Sequence, residues 1–379
     1  MERPIFKDIG TKAIELDTPI LSVDLDYLDY NLNYMSGFLK SKGINIKSHV
    51  GAHGSPAIAH KQIKLPGSSG ISVSTLGQAE VFIDNGLNDV LIANIIYNKR
   101  KINRLCALAK TSNVTLLVDN SSNISDLSLA ANYAGVELNL LLVIRSSGDG
   151  LGIEPGVDAE KLCIDIQKLP GINFEGLFGK LINNFVSENS SEPNVFNKSQ
   201  FDKVNNNSIQ YIQTILNFRE QIESKGIEVN SVVYGCTYDY QAIASVSGVT
   251  DIIAGSYALM DAKYQPIRTE FKNAASVMTC ITSLPDPITI ITDGGQKAIG
   301  ADLGSPEVDL SGAIIKGLSA EHGNIEYDWG NENSLSLGDR LWCVPYNITS
   351  CVNLHDYIFG IRKGYLESIW DLPARGHYR

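Results

Sequence analysis

Lys-Ser-His-Val-Gly-Ala-His-Gly-Ser-Pro, residues 47–56, is the stretch that points most directly to the fold of this chain. It follows an apolar run that contains Ile44 and Ile46, and its last residue, Pro56, is typical of the first turn of a helix. A turn between a buried strand and a helix is where α/β proteins hold their catalytic and binding residues. Two histidines and two glycines within this stretch therefore favour an active-site loop over an ordinary glycine turn with incidental histidines.

The same pattern, a short apolar run followed by a segment of helical periodicity, recurs from residue 44 to about residue 262. Eight such runs are strand candidates: Ile44–His49, Gly70–Ser74, Asp89–Ala93, Val114–Val118, Leu138–Ile144, Ile172–Leu177, Val229–Tyr234 and Asp251–Ala254. Apolar residues at three- and four-residue steps predict helices between them, at Leu76–Asn85, Lys99–Lys110, Asn123–Ala134, Ala159–Lys168 and Phe201–Lys225. Buried strands that alternate with helices in this number predict a parallel (β/α)8 TIM-type barrel. A doubly wound open sheet is the structural alternative, although no Gly-x-Gly-x-x-Gly motif follows the first strand.

Beyond residue 262 the pattern changes to short strands with no long helices between them, which is typical of a β domain. The strand candidates are Ser276–Ser283, Ile288–Thr292, Gly312–Ser319, Arg340–Val344 and Tyr357–Arg362. The run Ile20–Val23 precedes the first predicted helix, Tyr27–Lys42, and is assigned to the same domain. The sequence thus predicts an α/β protein with a barrel over residues 26–262 and a second, mainly β domain formed by residues 1–25 and 263–379. Two domains are the usual expectation for a chain of 379 residues.

Composition and charge limit the classes of partner. The formal net charge of −11 argues against nucleic acid or an anionic membrane surface, since both require a basic patch. No apolar run reaches the roughly 18 residues of a transmembrane helix, and no apolar segment follows the charged amino terminus, so we expect a cytoplasmic protein. The six cysteines contain no Cys-x-x-Cys pair and are expected to be reduced. Residues 183–200, rich in Asn, Ser and Glu, are either a functional loop or a disordered insertion.

Several sequence blocks are spread, in a fixed order, from about residue 18 to the carboxyl end. They are Thr18-Pro19-Ile20-Leu21-Ser22-Val23-Asp24, His49 and His53, Gly235-Cys236-Thr237, Ala254-Gly255-Ser256-Tyr257, Asp293-Gly294-Gly295-Gln296-Lys297-Ala298, Ser319-Ala320-Glu321-His322-Gly323, Leu337-Gly338-Asp339-Arg340 and Ala374-Arg375-Gly376. In this order they resemble the fold-type III pyridoxal-phosphate (PLP) enzymes, and more narrowly the D-threonine aldolase and D-serine dehydratase family. The resemblance implies an alanine racemase-like barrel with a β domain, and a PLP-dependent lyase or racemase acting on D-amino acids. It also implies a homodimer in which the barrel mouth of one subunit meets the β domain of the other.

The first barrel loop departs from the family. There the loop is similar to Arg-Pro-His-x-Lys-Thr-His-Lys, and its first lysine forms the Schiff base that tethers PLP. Gly51 stands at that position and Gly54 at the position of the second lysine, so no amine is available at either. The family's metal-binding pair falls on Asn347 and Thr349, which are poor ligands for a divalent transition metal. The chain is therefore expected to lack the PLP lysine and the metal ligands, with PLP non-covalent or absent and no metal.

The phosphate end of the site is expected to persist. Barrels often bind phosphate with the loops after their seventh and eighth strands. The block Gly235-Cys236-Thr237 follows the predicted seventh strand, and Gly255-Ser256-Tyr257 follows the eighth. Glycine permits a close backbone approach, and a hydroxyl group adds a donor. These blocks predict a cofactor-binding cradle for phosphate or carboxylate, while glycine turns that merely start a helix are the alternative.

Lys180 is the residue best placed to supply a catalytic amine. It follows the sixth predicted strand and would point toward the barrel mouth, where burial lowers the pKa of a lysine and makes it a nucleophile or base. An ordinary surface lysine is the alternative. Lys47 has the same strand parity as His49 and would face the barrel interior, but no acidic partner is evident on a neighbouring strand. Lys297 is expected to be structural.

Three histidines are further catalytic candidates: His49 and His53 in the first barrel loop, and His322 approaching from the β domain. Zinc is disfavoured because the spacing of the first two would need a helix, and glycines lie between them. We expect the three to form hydrogen bonds with a ligand or with the other subunit. Asp239 and Tyr240 are plausible ligand contacts, with helix capping by Asp239 as the alternative.

The leading hypothesis is a divergent amino acid aldolase/racemase-like protein that binds a small anionic or amino-acid-like ligand at the barrel mouth without the usual Schiff-base chemistry. A second hypothesis is an active PLP-dependent lyase or racemase on D-amino acids that uses Lys180 as a relocated lysine. A third is a non-catalytic structural or regulatory subunit.

Overall fold

The computed structural model describes four stretches of the chain: residues 7–145, 150–180, 198–327 and 335–379. The chain begins with strand β1 (Ile20–Asp24) and helix α1 (Leu25–Ser41). Eight parallel strands then close into a barrel in sequential order, with the last strand paired to the first. These strands are β2 (Asn45–His49), β3 (Ser68–Val73), β4 (Asp89–Ile95), β5 (Asn113–Val118), β6 (Leu138–Val143), β7 (Ile172–Gly179), β8 (Ser231–Gly235) and β9 (Asp251–Ala254). The predicted (β/α)8 barrel is confirmed, and the open doubly wound sheet is excluded.

Helices follow the barrel strands: α2 (Pro56–Ile63), α3 (Leu76–Asp84), α4 (Lys99–Leu108), α5 (Ser121–Ala134), α6 (Val157–Lys168), α7 (Lys198–Glu223) and α8 (Tyr240–Ile243). Local sequence sets where several of them begin. Thr75 accepts a hydrogen bond from the backbone N–H of Gln78 at the start of α3, and Asn120 accepts one from Asn123 at the start of α5. These caps satisfy N–H groups that have no partner within the first turn of a helix.

The barrel interior is divided into an apolar and a polar layer. Its upper part is filled by buried apolar side chains from successive strands: Leu91, Leu117, Leu141, Val143, Phe178, Val233 and Ile253. The amino-terminal ends of the strands instead carry a chain of hydrogen bonds, in which Asn173 donates to Asn139, Asn139 to Asn113, and Asn113 to Asp89.

Lys47 belongs to this polar layer. Its Nζ lies 3.2 Å from Oδ1 of Asp89 and also donates to the backbone oxygen of Ser69. Lys47 therefore faces the barrel interior as predicted, and its acidic partner comes from a strand that does not neighbour β2. Asp89 begins β4, two strands away from β2, and the curvature of the barrel brings the two side chains together.

The second domain is a nine-stranded sheet that includes β1. Its other strands are β10 (Ala275–Asp286), β11 (Thr289–Thr292), β12 (Glu307–Val308), β13 (Ile314–Leu318), β14 (Gly323–Glu326), β15 (Arg340–Val344), β16 (Tyr357–Arg362) and β17 (Tyr365–Asp371), with the short helices α9 (Gln296–Ile299) and α10 (Ile348–Val352) between them. β1 lies between β10, to which it is antiparallel, and β16, to which it is parallel. The assignment of Ile20–Val23 to this sheet is thus confirmed, whereas the exact domain boundaries stay a prediction.

Part of the insertion at residues 183–200 lies outside the described residues, and α7 begins at Lys198. The six cysteines are free thiols. Within the described stretches, no helix combines the length and the apolar character needed to cross a membrane.

Candidate functional site

A cavity of about 310 Å³ opens at the carboxyl ends of the barrel strands. We refer to it as the mouth cavity. Its apolar lining includes Leu117, Val143, Phe178 and Ile253 from the barrel interior. Its polar lining consists of His49, Ser74, Lys180, Cys236, Thr237, Ser256, Tyr264 and Thr349. An apolar base with a small number of convergent polar groups is the usual composition of a small-molecule site.

Lys180 reaches this cavity from the end of β7. Its Cδ lies 3.9 Å from the point that a Cβ on Gly235 would occupy, so its stem passes beside the last residue of β8. Its positive charge adds to the effect of burial in lowering the pKa of His49 and opposes the rise that burial causes in the pKa of Cys236, which places the ammonium group near both. The predicted direction of the side chain, toward the barrel mouth, agrees with this geometry. Lys180 is the one charged side chain among the described residues that line the cavity, and no acidic residue is among them.

His49 lies at the edge of the mouth cavity and is held between two hydroxyl groups. Its Nδ1 is 3.2 Å from Oγ of Ser72, and its Nε2 is 3.2 Å from Oγ of Ser74. Burial, with a smaller contribution from the charge of Lys180, lowers the pKa of His49 to about 4. The imidazole is therefore neutral at physiological pH and acts as a hydrogen-bonding group, not as a second cation.

His53 and Tyr257 lie behind the cavity wall in a buried hydrogen-bonded network. The Nδ1 of His53 accepts from the backbone N–H of Ser55, so the ring proton is on Nε2, which donates to Gln62 across 3.0 Å. Gln62 donates in turn to the hydroxyl of Tyr257, which is 3.3 Å from Oγ of Ser48. Neither His53 nor Tyr257 lines the mouth cavity. The network joins the first barrel loop, α2 and the segment after β9.

The buried position of His53 gives a testable pH dependence of stability. Burial lowers the pKa of His53 from 6.5 to about 4. Between these values the unfolded chain binds more protons at His53 than the folded protein does. The free energy of unfolding therefore falls as the pH is lowered from about 6.5 to about 4, and His53 does not change it above this window. We expect His53 to contribute about 3 kcal/mol to this loss. Urea unfolding of the wild type and of His53→Gln across this range measures it, and equal pH slopes for the two proteins would contradict it.

His322 and Lys297 lie in the β domain away from the mouth cavity. His322 is exposed in the turn between β13 and β14, where its backbone N–H donates to Oγ of Ser319. Lys297 is paired with Glu321 at 2.5 Å on the surface. His49, His53 and His322 thus do not come together within one subunit, and no group of three metal-ligating side chains occurs among the described residues.

The loops after β8 and β9 are tied to each other. Oγ1 of Thr237 accepts a hydrogen bond from the backbone N–H of Gly255 at 3.2 Å. A Cβ on Gly255 would stand 2.7 Å from the backbone oxygen of His49, so only glycine permits the loop after β9 to come this close to the end of β2. Five of the six residues predicted for the cradle therefore line the cavity, and Tyr257 does not. The N–H of Gly255 is already used by Thr237.

Cys236 is the thiol of the mouth cavity. Burial raises its pKa, and the thiol forms a hydrogen bond with Tyr264. A protonated thiol is a weak nucleophile. Cys236 is therefore a polar wall residue at neutral pH.

Asp239 and Tyr240, the predicted ligand contacts, do not line the mouth cavity. Oδ2 of Asp239 accepts from Oγ of Ser208 at 2.6 Å and from the hydroxyl of Tyr234 at 2.9 Å, which ties α7 to β8. Its side chain makes no capping hydrogen bond to α8, so the capping alternative is wrong as well. The hydroxyl of Tyr240 donates to Glu270. Both residues are buried away from the cavity.

Among the polar lining residues, sequence reasoning missed Ser74 and Tyr264, and it considered Thr349 only as a poor metal ligand. Thr349 comes from α10, so the β domain of the same chain reaches the barrel mouth. Asn347, the other residue at the family's metal position, is the N-cap of α10 and accepts from the backbone N–H of Ser350. The spacing Asn-x-x-Ser before a short helix was the available signal for this cap.

Comparison with known proteins agrees with the blocks found in the sequence. Residues 23–236 match the family described as "Alanine racemase, N-terminal domain", and residues 274–361 match the "Putative serine dehydratase domain". The chain is 30% identical to a 3-hydroxy-D-aspartate aldolase of Paracoccus denitrificans, over 97% of this chain and 94% of that protein. It is 28% identical to a D-threonine aldolase of Arthrobacter, over 98% and 96% of the respective chains. The crystal structure of a D-threonine aldolase from Filomicrobium marinum superposes with a TM-score of 0.88 at 27% identity, covering 98% of this chain and 99% of that one.

Proposed function

Because this chain belongs to the D-threonine aldolase and D-serine dehydratase family with an alanine racemase-like barrel, we propose that its mouth cavity binds a small anionic, amino-acid-like ligand without a Schiff-base tether. The observation that carries the proposal is the charge of the cavity. Lys180 is its one charged side chain among the described residues, in a chain whose formal net charge is −11. A lone cation among neutral donors favours an anion over a neutral or cationic ligand.

The neutral lining of the cavity completes a site for a small acid. Hydroxyl groups of Ser74, Thr237, Ser256 and Thr349 surround the opening and are able to donate to carboxylate or phosphate oxygens. The apolar side chains beneath them offer contact to a short carbon skeleton. A volume of about 310 Å³ lies at the lower end of the range for ligand pockets. A purely structural subunit would have no need of an open cavity here.

The residues of the mouth do not fit PLP held in the manner that the family resemblance implies. Gly51 has no side chain, and a Cβ there would stand 3.1 Å from both Oε1 of Gln78 and Nε2 of His49. PLP enzymes also place an acidic or arginine side chain at the pyridine nitrogen. No such side chain is among the described lining residues.

A second candidate function is retained because an amine is present elsewhere in the cavity. Lys180 would then tether PLP, and the hydroxyl-bearing loops after β8 and β9 would face its phosphate group. When bound, PLP supplies an electron sink for carbanion chemistry at an amino acid. This candidate corresponds to a lyase or racemase on D-amino acids, the class to which the named relatives belong.

A calorimetric titration tests the leading proposal. The probes are D-threonine, chosen because two similar proteins are D-threonine aldolases, its carboxamide, and inorganic phosphate. We expect D-threonine to bind and its carboxamide to bind at least about tenfold more weakly. The amide lacks the carboxylate that would form a charge-assisted contact with Lys180. Equal affinity for acid and amide, or no binding of any of the three, would overturn the proposal.

The homodimer stays a prediction, and sedimentation equilibrium tests it. A monomer across the micromolar range would contradict it. Within one subunit His322 is exposed and distant from the lining of the mouth cavity, so any part it plays in the site requires the second copy.

A further inference from the structure

A second cavity, of about 270 Å³, lies between the first barrel loop and the β domain. We refer to it as the outer cavity. Its barrel side is formed by Gly51, Gly54 and Gln78, and its other side by α10 and by the segment after β17, including Arg375. Thr349 lines both the outer cavity and the mouth cavity. The two spaces therefore adjoin across one side chain.

The outer cavity exists because two positions carry glycine. Gly54 has a positive φ of 63°, and a Cβ there would point at Ala374, Leu372 and Val352, at 3.8 to 4.0 Å. A Cβ on Gly51 would press between Gln78 and His49. A long side chain at Gly54 would therefore enter this space. The family resemblance implies its second lysine at Gly54, so part of the outer cavity is space that this side chain would occupy.

The donors that face the outer cavity favour an anion. Oε1 of Gln78 accepts from the backbone N–H of Ser74, which leaves its Nε2 as the free end of the amide, 3.5 Å from the point that a Cβ on Gly51 would occupy. Arg375 lines the opposite side. Its Nη2 is paired with Asp356, and 43% of the side chain is exposed. The other N–H groups of the guanidinium are therefore available to a ligand. No acidic residue lines this cavity among the described residues.

We infer that the outer cavity is a second anion subsite, and that the ligand of this protein carries two acidic groups, one at Lys180 in the mouth cavity and one at Arg375 and Gln78 in the outer cavity. This inference rests on the proposed function of the mouth cavity. The ligand must be long enough to pass Thr349, so its acidic groups are joined by a chain of several atoms. A planar guanidinium beside an amide N–H suits a carboxylate, because both of its oxygens accept hydrogen bonds.

A calorimetric series tests the inference. The probes are the straight-chain dicarboxylates from succinate to pimelate, each compared with the monocarboxylate of the same carbon number. We expect one chain length to bind at least about tenfold more tightly than its monocarboxylate, since the second charge gains a charge-assisted contact. In Arg375→Gln the ratio of the dicarboxylate affinity to the monocarboxylate affinity is expected to fall to about one. Ser350→Leu, which fills the outer cavity without changing a charge, is expected to reduce it in the same way.

Asp356→Asn is the matched control. It breaks the same surface ion pair as Arg375→Gln but keeps the guanidinium group, so the ratio is expected to persist. Loss of the ratio in Asp356→Asn as well would assign the effect to the ion pair and overturn the inference. Equal affinity for dicarboxylates and monocarboxylates in the wild type would overturn it while leaving the mouth cavity as an anion site. If no acid of either kind binds, the proposed function fails first and this inference with it.

Discussion

Lys180→Met is expected to remove the preference of the mouth cavity for an acid over its amide, and to weaken binding of the acid by roughly 10- to 150-fold. A hydrogen bond to a charged group contributes about 1.5 to 3 kcal/mol, which corresponds to that range. Methionine keeps an unbranched apolar stem and lacks only the terminal ammonium group, so the change isolates that group. Because Lys180 is exposed, the free energy of unfolding is expected to change by less than about 0.5 kcal/mol.

The control for net charge is Lys297→Met. This lysine is exposed on the β domain and paired with Glu321, far from the mouth cavity lining. The Lys297→Met substitution removes the same charge from the chain as Lys180→Met, so a general electrostatic effect would appear in both variants. Titration of both variants with D-threonine and its carboxamide separates the two causes. Unchanged affinity in Lys180→Met, or an equal loss in the two variants, would contradict the role given to Lys180.

Gly176→Ala is expected to prevent the barrel from closing. Gly176 lies in β7 with a φ of 152° and is paired with Ser231 of β8. A Cβ at this position would stand 1.9 Å from the backbone oxygen of Ser231, which cannot move without breaking the pairing of the two strands. Such a clash costs more than about 4 kcal/mol, which is a large fraction of the roughly 5–15 kcal/mol by which a native protein is stable. We expect insoluble protein, or a loss of cooperative thermal unfolding by circular dichroism.

Gly235→Ala in the adjacent strand is the matched control. Its Cβ would meet Ile253, Lys180 and Phe178 at 3.7 to 3.9 Å, which is ordinary van der Waals contact. We expect this variant to fold with nearly unchanged stability while narrowing the mouth cavity beside Lys180. A Gly176→Ala protein as stable as Gly235→Ala would show that the strand register described here is wrong.

Much of the fold could be predicted because the barrel strands are buried on both faces. Such strands are almost continuously apolar, and their ends are marked by a return to polar residues. The barrel strand Asp251–Ala254, which is buried throughout, has the same bounds in the sequence analysis and in the structure. So do Arg340–Val344 and Tyr357–Arg362 of the β domain, whose residues alternate in burial. Local hydrophobicity was sufficient for these elements.

Three strands of the β domain were missed because they carry little apolar signal, and the shortest of them, Glu307–Val308, has two residues. Gly323–Glu326 has only one buried apolar residue, Ile325, and is held by backbone pairing to β11 and β13. In Tyr365–Asp371 apolar and polar residues alternate only weakly, but a turn signal precedes the strand. Lys363 and Gly364 both have a positive φ and form the two-residue turn of the β16–β17 hairpin.

The site could be predicted only where a residue follows the end of a strand. Lys180 and Cys236 immediately follow β7 and β8, so the barrel geometry alone directs them to the mouth. His53 follows a short 3-10 turn at Val50–Ala52, which carries it behind the cavity wall, and no sequence pattern encodes that direction. Thr349 depends on how the β domain docks on the barrel. Docking is set by packing of distant segments and not by local sequence.

Reaction with pyridoxal phosphate tests the central claim, that Lys180 holds its ligand by charge and not as a covalent tether. The protein is incubated with one equivalent of PLP, reduced with borohydride, digested, and analysed by mass spectrometry, with Lys180→Met treated in parallel. We expect no pyridoxyl group on the peptide that contains Lys180. A stoichiometric pyridoxyl group on Lys180 in the wild type would contradict this account and establish the relocated-lysine enzyme instead.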